Sequence, residues 1–148
     1  MRKPQDTLAD MAAVIDIDGL HRGEQFGQRG HIDRFDICAI AYIVAEWVGP
    51  RSYAPEFFDD ELASIRLIES SAGAMAAIRA LSDSLGSAVD EEEQAPGFYV
   101  PNYISHVSNW ARCPPPGASK PPTNAEVIGH ILRAVNNLAI HTPTAPAA

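Results

Sequence analysis

The sequence predicts an all-α fold, a single domain of about five or six helices packed around a buried central helix at about 36–48. Three observations predict it. The segment 36–48 is apolar almost all round, opens on the good cap Asp36 and ends at Gly49-Pro50. Thr123-Asn124-Ala125-Glu126 reads as a capping box that opens a broadly striped helix. Between these two, apolar residues recur every third or fourth position over 60–85. With 148 residues and 46 % apolar side chains, the chain can bury one core without disulfides or a structural metal.

The first helix is expected over about 7–20. Thr7 can cap it, Asp10 suits its first turn, and Leu8, Met11 and Ile15 share one side. The stretch 22–34 carries Gly23, Gly27 and Gly30 and reads as an ordered loop with a helical turn near 24–27. The length of 36–48 favours a helix, although the β-branched Ile37, Ile40, Ile43 and Val44 keep a strand open. After Pro50 and Pro55, Asp59 or Asp60 can start a helix with Leu62, Ile65 and Ile68 on its apolar face. Ser70-Ser71-Ala72-Gly73 then separates a second helix carrying Met75, Ile78, Leu81 and Leu85, with one long bent helix as the alternative.

The four acids at 90–93 read as a solvated linker leading into an extended stretch at 96–101. A short helix from about Asn102 places Tyr103, Val107 and Trp110 on one side and stops at Cys113-Pro114-Pro115-Pro116. The last helix carries Val127, Ile128, Ile131, Leu132, Val135 and Leu138. The domain is expected to span 1–140, with 141–148 a disordered tail.

The net charge of -8 opposes phosphate backbones and anionic membranes, so neither nucleic acid nor membrane is an expected partner. Two cysteines outside any Cys-x-x-Cys pattern, with no export signal at the N-terminus, predict a cytoplasmic protein with reduced thiols.

Candidate chemistry centres on Cys38. At the first turn of a helix its thiolate would be stabilised, and His106 with Asn109, or His31 with Asp33, could act as base and orienting group. The plain alternative is a small apolar core residue between Ile37 and Ala39. His21, His31, Cys38, His106 and Cys113 fit no zinc spacing. Gly23 to Gly30 lacks the lysine of a phosphate loop, and the acids Asp16, Asp18, Glu24, Asp33 and Asp36 lack the spacing of a calcium loop, so no metal or cofactor is expected. The aromatics Phe57, Phe58, Phe98, Tyr99, Tyr103 and Trp110 lie in or beside loops and form the candidate protein-binding surface; rims of the core are the alternative reading.

Three features taken together carry a resemblance. Glycine-rich sequence precedes Cys38-Ala39-Ile40-Ala41, an alanine-rich helix lies near 75–85, and Asn109-Trp110 is followed by Thr123-x-x-Glu126-Val127 and a final aliphatic helix. In this order, over roughly 8–140, the chain resembles a group of small uncharacterised helical proteins of actinobacteria and their phages. The resemblance implies an intracellular, phage-encoded setting and no assigned catalytic residue. The acidic charge, the absence of any complete catalytic motif and the aromatics beside loops make the expected function a non-enzymatic interaction or accessory factor that binds a host or self protein, including a second copy of itself. A cysteine-dependent hydrolase or transferase built on Cys38 is the alternative, and an acidic mimic of nucleic acid a third reading.

Overall fold

In the computed structural model, which describes residues 2–46 and 54–141, the apolar stripes become helices. Helix α1 spans Pro4–Asp18. It starts earlier than the polar cap signal suggests because Pro4 needs no N–H partner at the first helical position. Thr7 is consequently not its cap: the residue is buried, and its Oγ1 has no hydrogen-bond partner among the described residues. Helix α2, Ile37–Glu46, is indeed a helix rather than a strand, and the remainder of the predicted segment, Trp47 and Val48, lies outside the described residues.

The chain from 56 to 84 forms three helices: α3 (Glu56–Asp59), α4 (Glu61–Glu69) and α5 (Ala72–Ser84). Two side-chain caps make the breaks. Asp60 Oδ1 accepts from Ala63 N at 3.0 Å, and Ser71 Oγ accepts from Ala74 N at 3.1 Å. Helix α6 is Tyr103–Arg112, and α7 is Asn124–His141. At the start of α7 the capping box closes as its residue types require, with Glu126 N donating to Thr123 Oγ1 at 3.1 Å and Thr123 N to Glu126 Oε1 at 3.2 Å. All of the expected tail except His141 lies outside the described residues.

The all-α expectation is overturned. The described residues form a mixed α/β domain of seven helices and two small antiparallel hairpins. The first hairpin pairs β1 (Gly27–Gln28) with β2 (Arg34–Phe35), where a loop with a helical turn was expected. Gly27 gives the two rings room there: a Cβ would lie 3.1 Å from the Phe35 ring and 3.2 Å from the Phe58 ring, so either ring would have to give by a few tenths of an ångström. The second pairs β3 (Asp90–Ala95) with β4 (Phe98–Asn102), so the acidic run is a strand and not a linker. Pro96-Gly97 makes its turn: proline presets φ at the first central position, and Gly97 takes φ 78° at the second. Acid runs have poor strand propensity, which is why the pattern misleads; tertiary bonds at the base of the hairpin override it.

The core centres on α2, which packs against α1, α4, α5 and α6, while α1 pairs most extensively with α7. Ile37, Ile40 and Val44 of α2 meet Leu8 and Met11 of α1, Ile78 and Leu81 of α5, and Val107 of α6 in one continuous cluster. Among the described residues no helix is long and apolar enough to cross a membrane.

Because Ile40 is 1 % exposed, Ile40→Ala should cost about 2–5 kcal/mol in urea unfolding, whereas Thr123→Ala, at an exposed cap, should cost about 1 kcal/mol.

Candidate functional site: the Asp36 cleft

Asp36 joins β2 to α2, and its backbone is fixed at both ends. Its N–H donates to Phe26 O at 2.8 Å, and its carbonyl accepts from Ile40 N at 2.9 Å. This geometry turns the side chain inward as the cap of α2. Oδ2 accepts from Cys38 N at 2.8 Å and from Ser108 Oγ at 2.9 Å, so the carboxylate ties α2 to α6. The residue is 5 % exposed, and what remains open faces a cleft of about 190 Å³ between α6, α4 and the Phe26 loop. Oδ1 receives no hydrogen bond from any described residue.

Burial pushes the Asp36 carboxyl up to about 6, and the bonds from Cys38 and Ser108 and the positive charges of Arg112 and His21 offset it only in part. A carboxyl held near neutrality in a cleft is the feature that most marks a functional site in this chain.

Helix α6 supplies the polar wall. Ser105, Ser108, Asn109 and Arg112 repeat at intervals of three and four residues, so they share one stripe while Ile104, Val107 and Ala111 enter the core. The same stripe holds the root of the β3–β4 hairpin. Ser105 Oγ donates to Asp90 Oδ2 at 2.7 Å, and Asn109 Nδ2 donates to it at 3.4 Å and to Ser105 Oγ at 3.1 Å. Asn102, the last residue of β4, caps α6 by accepting from Ser105 N at 3.0 Å. One helix face thus lines the cleft and fixes the hairpin.

Cys38 is fully buried. Its Sγ lies 3.3 Å from Ser108 Oγ and donates to Ile104 O at 3.7 Å. Burial, and then the neighbouring Asp36 charge, push the thiol well above its usual range, so it stays protonated. His106 and Asn109 are not assembled with it. His106 is buried with Nδ1 on Ser82 Oγ at 2.6 Å and Nε2 on Ser87 Oγ at 2.8 Å, and Asn109 serves Asp90. The other pairing is also apart: His31 is exposed, and Asp33 Oδ1 accepts from Gly30 N at 3.2 Å on the same turn. Among the described residues no three His, Cys, Asp or Glu side chains could hold a metal ion.

The six candidate aromatics divide rather than converge. Phe57 is a fully buried core residue, edge-on to Phe35 and Tyr42. Phe58 is half-buried against Phe35, with the Arg29 guanidinium 4.0 Å above its ring. Tyr103 lies under Arg79, and Trp110 packs on His130 of α7. Phe98 and Tyr99 alone stand out, at 59 % and 56 % exposure on β4. The sequence marks Asp36 as a cap and as one of a loose group of acids; the helical spacing of Ser105, Ser108 and Arg112 was the signal that could have pointed to the cleft.

No known family model, curated protein or solved structure matches the chain. The resemblance to small actinobacterial and phage proteins therefore rests on its short motifs alone, and no activity is carried over from it.

Two outcomes follow from this geometry. The core favours neutral Asp36, so its stabilising contribution is full below about pH 3.8 and is lost as pH rises through about 6. Urea unfolding should show a loss of about 3 kcal/mol across that window which Asp36→Asn, keeping an acceptor for Cys38 and Ser108, removes. Alkylation of the native chain should modify exposed Cys113 and spare Cys38, with the second equivalent taken up only on unfolding, as counted by mass spectrometry.

Proposed function

We propose that the protein is a non-enzymatic interaction factor whose β3–β4 hairpin binds a basic, extended segment of a partner protein. The observation that carries this reading is the pairing of exposed Tyr99 with Glu93 of β3, next to exposed Phe98 opposite Ala95, on a sheet that among the described residues has two strands. Glu93 lies opposite Tyr99 and Glu92 opposite Val100, so acidic and apolar groups alternate across the same ribbon.

A two-stranded ribbon in water is marginal by itself and leaves one edge of each strand unpaired. Here the root is anchored to α6 through Asp90, and the rest of β3, from Glu91 to Ala95, is exposed. Strand β4 contains Pro101, which has no N–H to offer, so the free edge of β3 is the better template for an added strand. Its row of glutamates repels the same edge of a second copy and attracts lysine and arginine. The aromatics supply amphipathic anchors next to that charge. Two free thiols, one buried and one exposed, are in keeping with action inside the cell.

Isothermal titration of the full chain with a lysine-rich extended peptide tests the reading. Phe98→Ala with Tyr99→Ala should weaken binding by about 2 kcal/mol. Raising salt should weaken it further. Equal affinity for the wild type and the double variant, or for an acidic peptide of the same pattern, would rule it out.

A further inference from the structure

We propose that the Asp36 cleft is a binding site for one primary ammonium carried on a short apolar stem. The site lies at the root of the hairpin, since Asn102, Ser105 and Asn109 belong to both. It rests on the hairpin reading only for the source of the ligand, which would be a lysine of the bound segment or else a free amine.

Four features select this chemistry. The first is size: about 190 Å³ is below the range of about 300–1,000 Å³ typical of cofactor and drug-like sites, and suits a single side chain. The second is the acceptor. Asp36 is 95 % buried, its Oδ2 already takes two hydrogen bonds, and Oδ1 takes none from the described residues, so one oxygen of a carboxylate that lines the cleft is left for an incoming donor. One free oxygen serves an ammonium but not the two-pronged fork of a guanidinium, which needs both oxygens of a carboxylate. The third is the wall: Phe26, Ile65 and Ile104 offer an apolar surface for a methylene stem, and Glu61 adds a second negative charge. The fourth is that, among the described residues, the cleft brings no third acid, histidine or cysteine to Asp36 and Glu61, which suits an ammonium better than a divalent metal.

Arg112 also lines the cleft and supplies the competing charge. It is exposed, its Nη1 reaches Gly23 O at 3.5 Å, and it forms no ion pair with Asp36. It therefore raises the electrostatic cost of a bound cation without occupying the carboxylate. His21 also acts on Asp36 electrostatically, and Cys38 beside it stays neutral.

The test is a titration of the 13C-labelled full chain with n-butylamine, at a pH above the Asp36 midpoint, following the Asp36 carboxyl carbon. A saturable shift with the amine, absent with n-butanol and at least about tenfold weaker with n-butylguanidine, is expected. Arg112→Gln, at an exposed position, should tighten the amine about threefold. The Phe98→Ala/Tyr99→Ala chain should keep the amine response unchanged. No saturable shift in the wild type, or an equal shift with the alcohol, overturns the cleft assignment and leaves the hairpin reading standing. Amine binding without any binding of the lysine-rich peptide overturns the hairpin reading and retains the cleft, with a free amine as its ligand.

Discussion

The arrangement depends on placing one carboxylate, Asp36, inside the protein. Burying a charge is costly, and an unpaired one would ionise only with difficulty. Two donors arrive at Oδ2 to offset that cost, the amide of Cys38 and the hydroxyl of Ser108. Each of them constrains an element. The Cys38 amide sets the first turn of α2, and Ser108 fixes the rotation of α6 about its axis. The Phe26 carbonyl, which accepts from the Asp36 amide, brings the first hairpin onto the same point. The compensation is incomplete, as the raised titration of Asp36 records.

Once α6 is set in this rotation, its two faces divide the work. Ile104, Val107 and Ala111 close the core, while Ser105 and Asn109 reach outward to Asp90. His106 adds a bond to Ser82 of α5 and another to Ser87, just ahead of β3. The chain entering the acidic hairpin is therefore held at two points, by Ser87 and by Asp90. At the other end of α6, the Arg22 guanidinium donates to Ala111 O, Pro122 O and Asn124 Oδ1, tying α6 to the start of α7 across the proline-rich loop. A hairpin with little apolar burial of its own can stand out from the body because its root is fixed in this way.

Functional resemblance to a thiol enzyme stops at the level of residue types. Cysteine, histidine and asparagine are all present, but the fold uses each for something else. Cys38 fills the core beneath α6, His106 bridges two serines, and Asn109 steadies the hairpin. Helix-start cysteines gain reactivity from the helix terminus only when the thiolate can be solvated or paired with a cation. Here the nearest charge is a carboxylate, which works in the opposite direction.

What could be read from the chain alone was local. The capping box at Thr123, the cap at Asp36, the stop at Cys113-Pro114 and the apolar stripes of α2, α5 and α7 each depend on residues within a few positions of one another. Thr7 misled because Pro4 starts α1 as well as a polar cap would and does so earlier. The two hairpins and the cleft were settled only by tertiary structure. Strand β3 holds its acids in an extended ladder because Asp90 meets Ser105, fifteen residues on, and the acceptor role of Asp36 depends on Ser108, 72 residues away. Hydrogen bonds between positions so far apart leave no period or spacing in the sequence. The chain by itself determined where helices begin and which faces are apolar; the three-dimensional packing decided which polar groups are buried together.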